Sequence, residues 1–204
     1  MRNFLFFVGT FLLLQVAVWA QEEPPKVDKI NRRVRKQIVL MHESDQYWRM
    51  VCIAGKMDEK LPACKKVEAI DLENTRKLRQ ITKKYGFPNA DLIGLDVVGN
   101  VFTMIIDSPS IEFQKESLPY LRLAAQANQY IKPEIALLTD KILVAEKKPQ
   151  IYGTQFRTEA GKMYLQETIE PEKLNERRAE MNLPTMEDYM KMLEKMYRMP
   201  IVRP

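Results

Sequence analysis

VDKINRRVRKQIVLMHESDQYWRMVC, residues 27–52, decides the fold class. Its apolar positions Ile30, Val34, Ile38, Met41, Trp48 and Cys52 recur every three or four residues, the spacing of one face of an α-helix. Asp45 falls in the middle of that face, between Met41 and Trp48, and Arg49 lies one turn beyond. A carboxylate on an apolar face is unfavourable unless it is paired or faces a cavity, so this helix must bring a charge to something.

The same interruption recurs along the chain. A second helix, over about residues 67–85, carries Val67, Ile70, Leu78 and Ile81 on one face, with Asn74 at its centre and Asp71 beside it. Gly86, Phe87 and Pro88 stop it. Asp91 to Ile106 is apolar nearly all round, as expected of one central buried helix, and its Gly94 and Gly99 would permit close helix approach. Asp107 and Ser108 end that helix. Pro109, at a first-turn position, starts another with Phe113, Leu118, Leu121 and Ala125, for which Asp107 is the ordinary capping candidate. Pro133 opens a helix through about Glu146, in which Asp140 has apolar neighbours Ala136, Leu137, Leu143 and Val144 one turn away on either side.

Beyond Pro149 the period changes. Ile151–Thr158 and Lys162–Ile169 are β-prone runs separated by Glu159, Ala160 and Gly161, a hairpin pattern in which Tyr152 and Thr154 would share one face and Gly153 and Gln155 the other. Pro171 begins a short helix with Arg178 between Leu174 and Met181. Thr185 and Asp188 form a near capping box for a last helix whose Met186, Tyr189, Met190, Leu193 and Met196 share a face. The expected architecture is mainly α: a multi-helix single domain over residues 21–198 with one small β-hairpin, followed by a C-terminal tail at 199–204.

Residues 1–20 have the pattern of a secretory signal: Arg2, an apolar run from Phe4 to Leu14, and small residues Val18 and Ala20 at the cleavage positions. The run is shorter than the roughly 18 to 20 residues a membrane span needs, so no stable span is expected after cleavage. Export to a periplasmic or extracellular compartment follows, and there Cys52 and Cys64 are expected to pair; two reduced, buried cysteines are the alternative. The net charge of +5 is mild. Arg32, Arg33, Arg35 and Lys36 cluster without interleaved aromatics, which argues against nucleic acid as a partner. His42 is the one histidine and there is no CxxC, so neither a metal site nor a cofactor is implied.

Five polar interruptions on inward faces suggest one shared polar pocket. Asp45, Asp107 and Asp140 are its candidate proton-transfer groups. Arg49, Asp71, Asn74, Tyr152, Thr154, Gln155 and Arg178 are its candidate ligand-binding groups, with Arg178 on an anionic part of the ligand and Asn74 holding a carboxylate in place. The implied ligand is a small polar or anionic molecule, with acid–base hydrolysis as the accessible chemistry. No phosphate loop, G-x-S-x-G elbow or H-E-x-x-H is present, so chemistry would rest on carboxylates. The rival is a non-catalytic envelope or interaction protein whose buried charges are structural and whose working surface is the Met-rich last helix or the basic first one; no particular protein partner is named by the sequence.

Asp45, Gln46 and Arg49 as D-Q-x-x-R, Asp71 and Asn74 as D-x-x-N, Tyr85–Pro88 as Y-G-F-P, and Gln150–Gln155 as Q-x-Y-G-T-Q come in an order and spacing that resembles a widespread bacterial family known only as a domain of unknown function. The resemblance runs from about Ser44 to Tyr189 and also takes in Gly94, Phe113, Gln114, Asp140, Arg177 and Arg178. Members usually carry His where this chain has Asp107 and Arg where it has Lys141. The resemblance implies a site at these positions and no named reaction.

Overall fold

Asn31 starts the first helix, its Oδ1 accepting from the Val34 amide at 3.1 Å, and α1 then runs Arg32–Ala54. The computed structural model describes residues 30–55, 60–127 and 132–202. The leader expected over residues 1–20 lies outside them. Among the described residues no helix is long and apolar enough to cross a membrane.

Pro62, whose missing N–H costs nothing in a first turn, opens α2 at Pro62–Tyr85, five residues earlier than the apolar spacing indicated. A Cys52–Cys64 disulfide, with Cα atoms 4.8 Å apart, ties α1 to α2 at their junction. The two helices therefore run antiparallel, and their facing apolar stripes meet.

The stretch expected as one central helix is broken in two. Asn89 caps α3 (Ala90–Ile93), a single 3-10 turn follows at Leu95–Val97, and α4 is Val98–Ile106. The break is Gly94, whose φ of +89° is left-handed and whose added Cβ would lie 2.6 Å from Arg35 Nη1. That close approach lets Arg35 donate to the Ile93 carbonyl and clamp Asp96, both Nη contacts to the carboxylate being 2.7 Å. Gly99 meets nothing within 4 Å, so its small size serves no close packing.

What remains of the apolar segment is the centre of the molecule. Val101, Ile105 and Met104 of α4 are buried together with Ile38, Leu78, Ile93, Leu121 and Leu138 from α1, α2, α3, α5 and α6. Here α5 is Ile111–Gln126 and α6 is Lys132–Ala145. Ser110 rather than Asp107 caps α5, accepting from the Phe113 amide at 3.2 Å, and Pro109 precedes the cap instead of opening the helix. Asp107 is thereby free to face elsewhere.

The hairpin forms with shorter strands than expected, β1 at Phe156–Glu159 and β2 at Lys162–Leu165, antiparallel and in register from Phe156 opposite Leu165 to Glu159 opposite Lys162. A third strand, β3 at Ile201–Val202, lies parallel to β2. So Ile201 and Val202, within the segment expected as a tail, join the sheet. Between hairpin and third strand come a 3-10 turn at Pro171–Lys173, α7 at Leu174–Glu180 and α8 at Met186–Tyr197, the last capped by Thr185 as expected. Met186 and Leu193 of α8 are buried, whereas Met196 is exposed. The protein is a mainly α single domain with a small three-stranded sheet.

Candidate functional site

Asp45 reaches the interior because its position on α1 is governed by helical period, and the same period puts Arg49 one turn further on. Arg49 Nη2 donates to Asp45 Oδ1 at 2.8 Å and, across the helix pair, to Asp71 Oδ1 of α2 at 2.7 Å. At 3.3 Å it also faces Asp107 Oδ2, delivered by the C-terminal end of α4. Gln46 Nε2 donates to the other Asp45 oxygen at 2.7 Å. One nitrogen thus stands against carboxylates from three elements.

The group is graded from interior to surface. The Asp45 side chain is 1% exposed, Asp71 14%, and Arg49 and Asp107 27% each. The group thus runs from a carboxylate out of water at Asp45 to partly exposed ones at Asp71 and Asp107.

Three negative charges against one guanidinium cannot all be neutralised, and the carboxyls respond. Burial raises the Asp71 pKa to about 7, against the pull of Arg49 and with help from the charge of Asp45, a hydrogen bond with it, and the charge of Asp107. Burial also raises Asp107, opposed by Arg49, Lys141 and His42 and assisted by Asp45. The Arg49 guanidinium moves further above its usual value because Asp45, Asp107 and Asp71 outweigh its desolvation.

Polar side chains under the group hold its frame. Thr75 and Ser108 share a buried hydroxyl contact at 2.7 Å, linking α2 to the residue after Asp107. Gln114, fully buried, donates to the carbonyls of Ile105, Ile106 and Ser108 at 3.0–3.1 Å and so satisfies the end of α4. Lys141 also donates to the Ile106 carbonyl. Two donors here lack partners: Arg49 Nε and Asn74 Nδ2, both buried. Holding a carboxylate is therefore not what the Asn74 amide nitrogen does in this structure.

Asp140 and Arg178, expected in the same pocket, belong to a second group. Asp140 Oδ1 and Oδ2 accept from the amides of Ile151, Tyr152 and Thr154 and from Thr154 Oγ1, at 2.8–3.2 Å. Residues 151–155 are not strand, as the alternation had suggested, but a loop wrapped on this carboxylate, with Gly153 at φ +68° and its missing Cβ 3.2 Å from Met186 Sδ. Arg178, fully buried, donates from Nε to the Pro184 carbonyl at 2.7 Å and from Nη1 to the Tyr152 carbonyl at 2.6 Å, with its guanidinium 4.7 Å over the Tyr189 ring. Gln155 donates to Thr154 Oγ1 at 3.0 Å. Tyr152 lines a surface cleft of about 460 Å³ with Arg122, Ile135 and Glu180.

The expected single pocket is therefore two groups, and no hydrogen bond or ion pair runs from Asp45, Arg49, Asp71 or Asp107 to Asp140, Tyr152, Thr154, Gln155 or Arg178. Asp45, Arg49, Asp71 and Asp107 meet; Asp140, Tyr152, Thr154, Gln155 and Arg178 meet elsewhere. Neighbouring Asp140 and Lys141 on α6 part company because successive helical residues point about 100° apart. Gln114 and Lys141 are marked in the sequence by the family resemblance alone; helical period offers for Gln114 no more than a polar residue between Phe113 and the next apolar turn. Among the described residues, no group of three His, Cys, Asp or Glu side chains is placed to hold a metal ion.

A family model described as a family of unknown function, DUF6624, matches residues 33–202. Comparison with curated proteins and with solved structures found no match.

Proposed function

The chain belongs to the DUF6624 family of unknown function, and for it we propose a recessed proton-transfer site made of Asp45, Asp71 and Asp107 around Arg49, acting on a small polar ligand, with hydrolysis as the reaction class. The carrying observation is that three carboxylates, Asp45, Asp71 and Asp107, stand on one Arg49 nitrogen at 2.7–3.3 Å, an arrangement whose burial raises the Asp71 pKa to about 7. A carboxyl with a pKa close to the working pH is both an adequate acid and an adequate base. Asp71, 14% exposed, exchanges the proton; Asp107, nearer the surface, receives the ligand or activates its water; Arg49 fixes all three carboxyls. An anionic ligand loses its expected holder, since Arg178 is fully buried away from the Asp45 group and its Nε and Nη1 donate to backbone carbonyls. A neutral polar ligand fits an acid-rich site better.

Export belongs to the same proposal. A disulfide between Cys52 and Cys64 persists most readily in an oxidising compartment, which suits a periplasmic or extracellular bacterial protein. The contacts among Asp45, Gln46 and Arg49 give the D-Q-x-x-R motif a physical sense: one carboxyl oriented from both sides.

The test is a thermal-shift screen of neutral polar ligands on the chain from Gln21, with Asp71→Asn beside it. A ligand that stabilises the parent, and not a folded Asp71→Asn variant, supports the site. The second reading, a structural ion network, rests on Asp45 being wholly buried. It gains if Asp71→Asn only alters stability and no ligand distinguishes the two proteins.

A further inference from the structure

The proton-transfer site uses neither Phe87 of the Y-G-F-P motif nor Phe113, although both carry the family resemblance. The structure brings the two to one surface cleft of about 340 Å³. Arg79 and Lys83, one turn apart on α2, form one side of it. Phe113, Ser117 and Tyr120, spaced by four and three on α5, form the other, and Phe87 comes in from the loop after α2. Phe113 and Ser117 are buried and make the floor, whereas Tyr120 is exposed.

Each ring is held in place by a neighbour. Phe87 stacks on Tyr120 with the planes 4° and the centroids 5.1 Å apart, and exposed Tyr120 is the member of the pair with surface left for a further flat group. The Arg79 guanidinium lies 5.3 Å over the Phe113 ring. Glu116 fixes it there, accepting from Nε at 3.0 Å and from Nη2 at 3.1 Å. That pairing offsets the Glu116 charge and leaves Arg79 Nη1 unengaged. Lys83 is exposed in the same cleft and makes no ion pair or hydrogen bond among the described residues. The cleft therefore presents aromatic rings together with one uncompensated positive charge.

From the stacked Phe87 and Tyr120 rings and the uncompensated Lys83 ammonium lining one cleft, we propose a binding site for a small aromatic carboxylate. Its ring lies against the aromatic side chains and its carboxylate meets Lys83 and Arg79 Nη1. Charge balance selects this class. A cationic ligand would face two cations and one carboxylate that is already paired. A neutral ring would gain the stacking alone, and an aliphatic acid only an ion pair to an exposed lysine, which is weak. Ligand sites run from roughly 300 to 1,000 Å³, so a cleft at the small end of that range suits one or two fused rings. The site shares no residue with the Asp45 group, and its fate is independent of the proton-transfer reading.

The experiment is an amide NMR titration of the full mature chain with naphthoate, beside naphthylmethanol, which lacks the charge, and cyclohexanecarboxylate, which lacks the flat ring. Naphthoate is expected to shift the amides around Phe87, Phe113 and Tyr120 and to bind several-fold tighter than either control. Lys83→Gln should lose several-fold of that affinity. Lys84→Gln, which removes the neighbouring cation that stands over the Tyr85 ring outside the cleft, should lose none. Lys83 is exposed, so the first variant is expected to keep the parent's amide spectrum away from the cleft. Equal losses in the two variants would trace the effect to the chain's net positive charge and overturn the site. Naphthoate binding no tighter than its controls, or shifting amides elsewhere, would overturn it as well.

Discussion

Asp71 lies 2.7 Å from Arg49 and still titrates near pH 7. A carboxylate that close to a guanidinium ordinarily becomes a stronger acid. Here the guanidinium is shared with Asp45 and Asp107, and burial makes a third unbalanced charge expensive. The inversion is a property of the group, so each member tests it differently.

Asp71 should leave a mark on stability against pH. Its folded pKa of about 7 lies above the ordinary aspartate value of 3.8, so between those values the folded state binds more protons than the unfolded one. The stabilisation from this group is full below 3.8 and is lost as pH rises towards 7. Glu73 and Glu146, held at about 2 by their basic partners, act the opposite way but only below their usual value of 4.5. Urea unfolding between pH 5 and 8 should show stability falling with pH, and Asp71→Asn should flatten that slope. A slope unchanged in the variant would refute the assignment.

Removing the shared cation should be harsher. Arg49→Gln leaves three carboxylates facing one another, two of them largely out of water, and should cost about 3 kcal/mol or more at pH 8. Lowering the pH to 5 should restore much of it, because protonation does what the guanidinium did. Denaturant midpoints at the two pH values measure this. Equal losses at both would mean that packing, not charge, is what Arg49 supplies.

How much of this was legible in the sequence depends on which force was acting. Helical period alone placed Asp45, Asn74, Asp140 and Arg178 inside, and all four are buried. It could not say who meets whom: Asp45 and Arg49 are one turn apart on one helix, but Asp71 and Asp107 join them only through the packing of α1, α2 and α4. Asp140 looked equivalent to Asp45 by pattern, yet apart from the Thr154 hydroxyl its partners are backbone amides, which carry no sequence signal. The break at Gly94 was hidden because apolar residues continue on both sides, and β3 is too short at two residues to show a period.

Asp140→Ala should destabilise strongly while leaving the Asp71 titration near pH 7. The change strands the amides of Ile151, Tyr152 and Thr154, and buried donors without partners cost about 1–3 kcal/mol each. Asn at this position has one acceptor oxygen and an NH2 facing those same donors, so Asp140→Asn should recover only part of the loss. Chemical denaturation gives the size; carboxyl NMR of Asp71 gives the independence. A shifted Asp71 in either variant would join the two groups after all.

Reducing the Cys52–Cys64 disulfide should cost about 3 kcal/mol by the chain-entropy account of so short a loop. The bond lies one turn beyond Arg49 and two turns before Asp71, so it also fixes the register in which they meet. Melting with and without reductant checks the first effect. The second would appear as a lowered Asp71 pKa in the reduced, still folded protein.

The Asp140 carboxylate has a consequence for where this chain can be divided. Pro149 marks the change from helical to strand pattern and looks like a place to cut. But the carboxylate stands on α6 while every donor that fills it comes from residues 151–154, so neither piece would be whole. The helices would keep a buried charge with nothing to receive, and the hairpin segment would lose the centre its loop is wound on. Helices and sheet are thus expected to unfold in one cooperative transition, and a break at Pro149 should yield two fragments that fold only when mixed.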